Sequence, residues 1–110
     1  GFGVLSGKYI RKKNIEKARI TLFPRFSRYS SEQAVKATKL YLALAEKNQL
    51  SLTQMSLAWV NHQPWVTSNI IGATNLTQLK ENIESIHVAL SEEVLKEIDA
   101  IHNLIPNPAP

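Results

Sequence analysis

The sequence predicts an α/β chain that is mostly helical, with about four helices and one or two short strands. Three observations carry this. Apolar residues recur at helical spacing behind Ser, Thr or Asn residues suited to start helices. A single β-branched run, Val66-Thr67 and Ile70-Ile71, stands between two helical patterns. The opening Gly1–Ser6 is short, apolar and Gly-rich, and reads as the end of a strand and the loop leaving it.

Lys8–Ser30 has neither helix nor strand period and contains Pro24, so a long loop is expected. Ser30-Ser31-Glu32-Gln33 carries the Ser-x-x-Gln capping pattern. The helix behind it should run to about Asn48 and bury Ala34, Thr38, Tyr41, Leu42 and Ala45. Ser51-Leu52-Thr53-Gln54 repeats the pattern, and a second helix should reach about Gln63, with Leu52, Met55, Trp59 and His62 near one side. Pro64 stops it, because its ring blocks the turn before it. The strand follows at about Thr67–Ile71. A third helix then runs from Asn75 to about Ile86, its buried stripe Leu76, Leu79, Ile83 and Ile86. Ser91 caps a last helix with the stripe Val94, Ile98, Ile101 and Ile105. The tail Pro106–Pro110 is expected to be extended and mobile.

Composition narrows the function classes. At 110 residues the chain allows one small domain, and its 44% hydrophobic and 20% charged residues are ordinary for a globular protein. Without Cys there is no disulfide framework and no thiolate metal site, which fits a reducing, cytoplasmic setting. The longest apolar run, Leu40–Ala45, is far too short to span a bilayer. Lys8 arrives too early for a signal-peptide core. His62, His87 and His102 lack metal-ligand spacing, and neither a P-loop nor a Gly-x-Gly-x-x-Gly turn is present. Charge is uneven: residues 1–29 hold eight Lys or Arg against Glu16, net +7, while residues 30–110 are net −3. A basic opening suits an anionic ligand, and describes a solvated basic loop equally well.

The richest segment is Ile70-Ile71-Gly72-Ala73-Thr74-Asn75-Leu76-Thr77-Gln78-Leu79-Lys80-Glu81-Asn82. A strand ending in a tight turn that opens a helix leaves backbone N–H groups unpaired at the positive end of the helix dipole. Such an end can hold a phosphate. Gly72 would let the backbone approach it, and Thr74 and Asn75 could add donors. Gln78, Glu81 and Asn82 cluster roughly 130° around the helix from the apolar stripe, where they could read the edge of a base. The same spacing also describes a capped helix with a solvated polar face.

Gly-Ala-Thr-x-x-x-Gln-x-x-Glu-Asn behind a β-branched strand resembles the C-terminal cofactor signature of the aldo/keto reductases. Gly3-Val4-Leu5-Ser6-Gly7-Lys8-Tyr9 resembles the same family's segment after its seventh barrel strand. Leu90-Ser91-Glu92-Glu93 and the amphipathic helix after it resemble its tail helix. The motifs stand in the family's order and cover essentially the whole chain. They are most similar to the branch that includes the Tas-like reductases and the potassium-channel β subunits. The resemblance implies the C-terminal fragment of a (β/α)8 TIM barrel, residues 1–110 forming an incomplete domain. A full barrel needs about 250 residues, and the first residue is Gly. The expectation is therefore the last part of a larger protein, with a strand left short of neighbours, a marginal fold and self-association through unpaired edges.

The resemblance also implies a nicotinamide dinucleotide, usually NADP, and a small carbonyl substrate in the complete protein. It places Gly72 and Thr74 at the adenosine 2′-phosphate, and Gln78, Glu81 and Asn82 around the adenine and its ribose phosphate. By the same resemblance Lys8 would pair with the cofactor's phosphates, Arg19 would match an Arg in the loop folding over them, with Arg11 or Arg25 as alternative equivalents, and the backbone of Gly1 and Phe2 would match positions beside the pyrophosphate. Thr74 stands where many members have Ser, and either residue offers a hydroxyl. The family's catalytic Asp, Tyr, Lys and His come from earlier strands, and no segment here matches them. The expected function is the cofactor-binding portion of an NADP-dependent oxidoreductase, inactive alone. Two alternatives are a non-catalytic interaction module and a nucleic-acid-binding basic segment, Lys8–Arg28, with interleaved aromatics.

Overall fold

The computed structural model describes residues 3–11 and 28–110. Helix α1 is a single turn, Lys8–Arg11, preceded by a 3-10 turn at Val4–Ser6. Helices α2 (Glu32–Lys47), α3 (Leu52–His62), α4 (Leu76–Glu84) and α5 (Glu92–Leu104) follow. A second 3-10 turn, Ser85–His87, prolongs α4. The four long helices match the sequence expectation. The loop expected from Lys8 to Ser30 is helical at its start and makes a 3-10 turn at residues 28–30.

Local chemistry sets each start. Ser51 caps α3 in a full capping box: its Oγ accepts from the Gln54 amide at 3.0 Å, and the Gln54 side chain accepts from the Ser51 amide at 3.3 Å. Asn75 caps α4 and Ser91 caps α5. At α2 the cap is Ser31, which accepts from Ala34, so the Ser30–Gln33 box expected from the sequence is not the one used. The Ser31 hydroxyl also donates to the Pro108 carbonyl at 2.8 Å, which ties down the tail that was expected to be mobile.

The core lies between α2, α3 and α5. Leu42, Leu44, Ala45, Leu52, Met55, Val94 and Ile98 are buried together, and Ile10, Tyr41, Leu50, Trp59, Leu90 and Ile101 pack around them. The stripes expected for α2 and α5 face the core, with Tyr41 and Ile101 half-buried and the rest buried. On α3 Leu52 and Met55 are buried, whereas His62 is exposed. Tyr41 is half-buried, and its hydroxyl is held above its ordinary pKa of 10.0 by burial and then by the Asp99 carboxylate. A proton held more tightly when folded stabilises fully below the unfolded value and is lost as pH rises through the raised one. Chain stability should therefore fall above about pH 10, and Tyr41→Phe should remove that part of the fall in pH-resolved urea melts.

Two expectations about the third helix and its strand are overturned. Among the described residues there is no β-strand. Residues 67–73 make no backbone–backbone hydrogen bond there, because no neighbouring strand is present to pair with them. Of the opening segment, residues 3–6 form a turn, and Gly1 and Phe2 lie outside the described residues. The stripe on α4 points outward: Leu76 is 82% exposed, Leu79 39%, Ile83 56% and Ile86 69%. The inward side is polar, with Asn82 and Ser85 buried. An amphipathic helix buries its apolar face only where an apolar layer meets it. Here the start of α3 meets α4 through the hydrogen bond from Ser51 to Glu81.

Candidate functional site

The opening of α4 is exposed and rich in donors. Asn75 Oδ1 accepts from the Gln78 amide at 2.9 Å. Gln78 Oε1 turns back and accepts from both the Thr74 amide, at 3.0 Å, and the Thr74 hydroxyl, at 2.9 Å. The amides of Leu76 and Thr77 have no protein acceptor among the described residues. These groups point to the positive end of the helix dipole. An anion arriving there meets free amides, and a hydroxyl held only by a neutral amide oxygen.

Two side chains lock this opening to the rest of the fold. Asn82 Nδ2 donates to the Gly72 carbonyl at 3.1 Å, which fixes the turn against the helix. The Ser51 hydroxyl donates to the Glu81 carboxylate. Ser51 therefore caps α3 and tethers α4 at once. Replacing Ser51 with Ala should cost about 1–2 kcal/mol for the lost cap. It should also raise hydrogen exchange in α4, which loss of a cap on α3 alone would not do.

Gly72 shows no steric need for glycine. Its φ is not left-handed, and a Cβ built on it would meet nothing within 4 Å. The space in front of it belongs to a cavity of about 660 Å³. That cavity brings two distant motif segments together, Gly3–Ser6 from the opening and Ile70–Gly72 with Asn82 from the α4 region. Its size suits a small organic ligand. Lys8 stands at the opening segment, where a Cβ on Gly3 would lie 3.0 Å from its Nζ. The ammonium also sits 5.0 Å from the Tyr9 ring centroid.

The seven candidate residues thus divide. Gly72 and Asn82 line the cavity, Lys8 is beside its opening wall, and Thr74 and Gln78 form the exposed α4 start. Glu81 and Asn82 are engaged with Ser51 and Gly72 and do not form a free polar face. Arg19 lies outside the described residues, as do Gly1, Phe2 and Arg25. Arg11 forms a surface pair with Glu46 at 3.4 Å. Sequence reasoning missed Asp99, and gave Tyr41, Trp59 and His102 no role beyond structure, although all four line the cavity. The i, i+3 spacing of Asp99 and His102 on α5 was the available signal. Among the described residues no cluster of His, Asp or Glu could hold a metal ion.

Residues 1–103 match the model of the aldo/keto reductase family, and the chain belongs to that family. Over all 110 residues it is 51% identical to Protein tas of Escherichia coli K12, and equally to its Shigella flexneri counterpart. It is 31% identical over 105 residues, 91% of this chain, to an aldo-keto reductase of Babesia bovis, covering 37% of that protein. Over 65 residues, 57% of this chain, it is 35% identical to a Schizosaccharomyces pombe protein named for a voltage-gated potassium channel subunit beta, covering 19% of that protein. The chain spans 32% of the length of the tas proteins. No helix among the described residues is long and apolar enough to cross a membrane.

Proposed function

We propose that these residues are the cofactor-binding C-terminal portion of an NADP-dependent aldo/keto oxidoreductase that reduces aldehydes and ketones in the cytoplasm. The observation that carries this is the meeting of the two motif segments at one cavity, beside a helix start with free amides. The residues fit a phosphorylated dinucleotide in kind. The Leu76 and Thr77 amides and the Thr74 hydroxyl offer neutral donors to a phosphate. Thr74 is released by turning the Gln78 amide away. Lys8 adds a compact positive charge from the other wall. Asn82 and Glu81 hold the turn and the helix in register while the ligand binds. When bound, the nicotinamide supplies the hydride for carbonyl reduction, and the proton comes from groups outside these residues. The chain alone is expected to be inactive.

Calorimetry with adenosine 2′,5′-bisphosphate tests the reading. Binding is expected, weaker for adenosine 5′-monophosphate, and reduced about tenfold by Thr74→Val, the loss of one hydrogen bond to a charged group. Equal binding of the two nucleotides, or no effect of Thr74→Val and Lys8→Ala, would refute it. Turnover of a simple aldehyde with NADPH by the purified chain would refute the expected inactivity.

A further inference from the structure

The start of α3 joins the two walls of the candidate site. On one side Gly7 precedes Lys8, and a Cβ built on Gly7 would lie 3.3 Å from Leu42 Cδ1 and 3.9 Å from Leu52 Cδ2. The backbone that carries Lys8 therefore rests against the first residue of α3. On the other side, the Ser51 hydroxyl donates to the Glu81 carboxylate of α4. Ser51 is a fixed donor, because each of its polar groups is engaged. Its amide donates to Gln54 Oε1, its Oγ accepts from the Gln54 amide, and its carbonyl accepts from the Met55 amide. With that oxygen already accepting from Gln54, its own proton is left for Glu81. The apolar stripe of α4 faces outward, so burial of the stripe does not press this helix onto α3. A charge-assisted hydrogen bond between two half-buried side chains holds it there instead.

We propose that Ser51 is a positioning residue for the nucleotide. Through Glu81 it holds the start of α4, with the Thr74 hydroxyl and the Leu76 and Thr77 amides, in register with Lys8 on the opposite wall. Ser51 acts through Glu81 and not on the ligand. A ligand gripped from two sides loses affinity when one side drifts, because its phosphates no longer meet both sets of donors at hydrogen-bonding distance. This rests on the reading of the two motif segments as one cofactor site, and deepens it by naming the residue that keeps them aligned.

Calorimetry of the 110-residue chain with adenosine 2′,5′-bisphosphate, on two variants of Ser51, provides the test. Threonine and glycine start helices about equally well, and only threonine keeps a hydroxyl for Glu81. Affinity should fall about tenfold in Ser51→Gly and stay within about twofold of the parent in Ser51→Thr. In a Glu81→Ala background, Ser51→Gly should change affinity by less than about twofold, because the group it acts through is gone. Amide exchange in α4 of the ligand-free chain should quicken about tenfold in Ser51→Gly and not in Ser51→Thr. Equal affinities of the two variants, or an undiminished effect of Ser51→Gly without Glu81, would overturn the proposal. Loss of the parent's circular dichroism in Ser51→Gly would overturn it too, since Ser51 would then serve the fold and not the site. No nucleotide binding by the parent chain, with α4 exchange still quickened in Ser51→Gly, would refute the cofactor reading and leave the hold of Ser51 on α4 standing. Nucleotide binding that Ser51→Gly leaves unchanged would do the reverse.

Discussion

Leu52→Ala should lower the stability of this chain by about 2–5 kcal/mol, the cost of a cavity that its surroundings cannot close. Leu52 is 1% exposed and sits in the cluster formed by Leu42, Leu44, Ala45, Met55, Val94 and Ile98. These neighbours come from three helices, so no single one can move in to fill the gap. A domain of this size has a total stability of only about 5–15 kcal/mol. The variant should show a large drop in urea midpoint with an unchanged slope. An effect below about 1 kcal/mol would mean that α2, α3 and α5 do not share a close-packed core.

Gly7→Ala should cost about 1–3 kcal/mol, for two reasons that add. Gly7 has φ 71°, a left-handed conformation that costs an L side chain about 1–2 kcal/mol. A Cβ there would also lie 3.3 Å from Leu42 Cδ1, so the side chain filling the core under α1 must shift. Gly72→Ala is the matched comparison, with an ordinary φ and open space around it. Its stability should change by less than about 0.5 kcal/mol, while nucleotide binding should weaken if a ligand approaches that backbone closely. Thermal melts of the two variants, with calorimetry of the second, separate a glycine needed for folding from one needed for binding. Equal melting temperatures for Gly7→Ala and the parent chain would contradict the strain argument.

Helix positions were legible wherever a local rule decides them. Ser51 with Gln54, Asn75 and Ser91 mark starts because a capping hydrogen bond is made within three residues of the cap. The stripes of α2 and α5 were legible because each faces an apolar layer supplied by this same chain. The α4 stripe has equally regular spacing, yet its surroundings depend on elements far away in sequence. Ser51, thirty positions before Glu81, draws the polar side of α4 inward. The residues of the candidate site were legible as a motif, but not the use of Gln78, Glu81 and Asn82 as internal tethers. Nor was the part played by Tyr41, Asp99 and His102 in the cavity wall, because they come from two helices about sixty positions apart.

The order of residues was enough to assign the family, the four long helices and the starts of three of them, because these rest on motif content and on contacts within a turn. Which face of α4 turns inward, whether residues 67–71 pair as a strand, and which side chains share the cavity were settled by contacts between distant segments. Burial and strand pairing are properties of neighbours. A helical stripe records what a helix is able to cover, and only the assembled fold supplies the surface it covers.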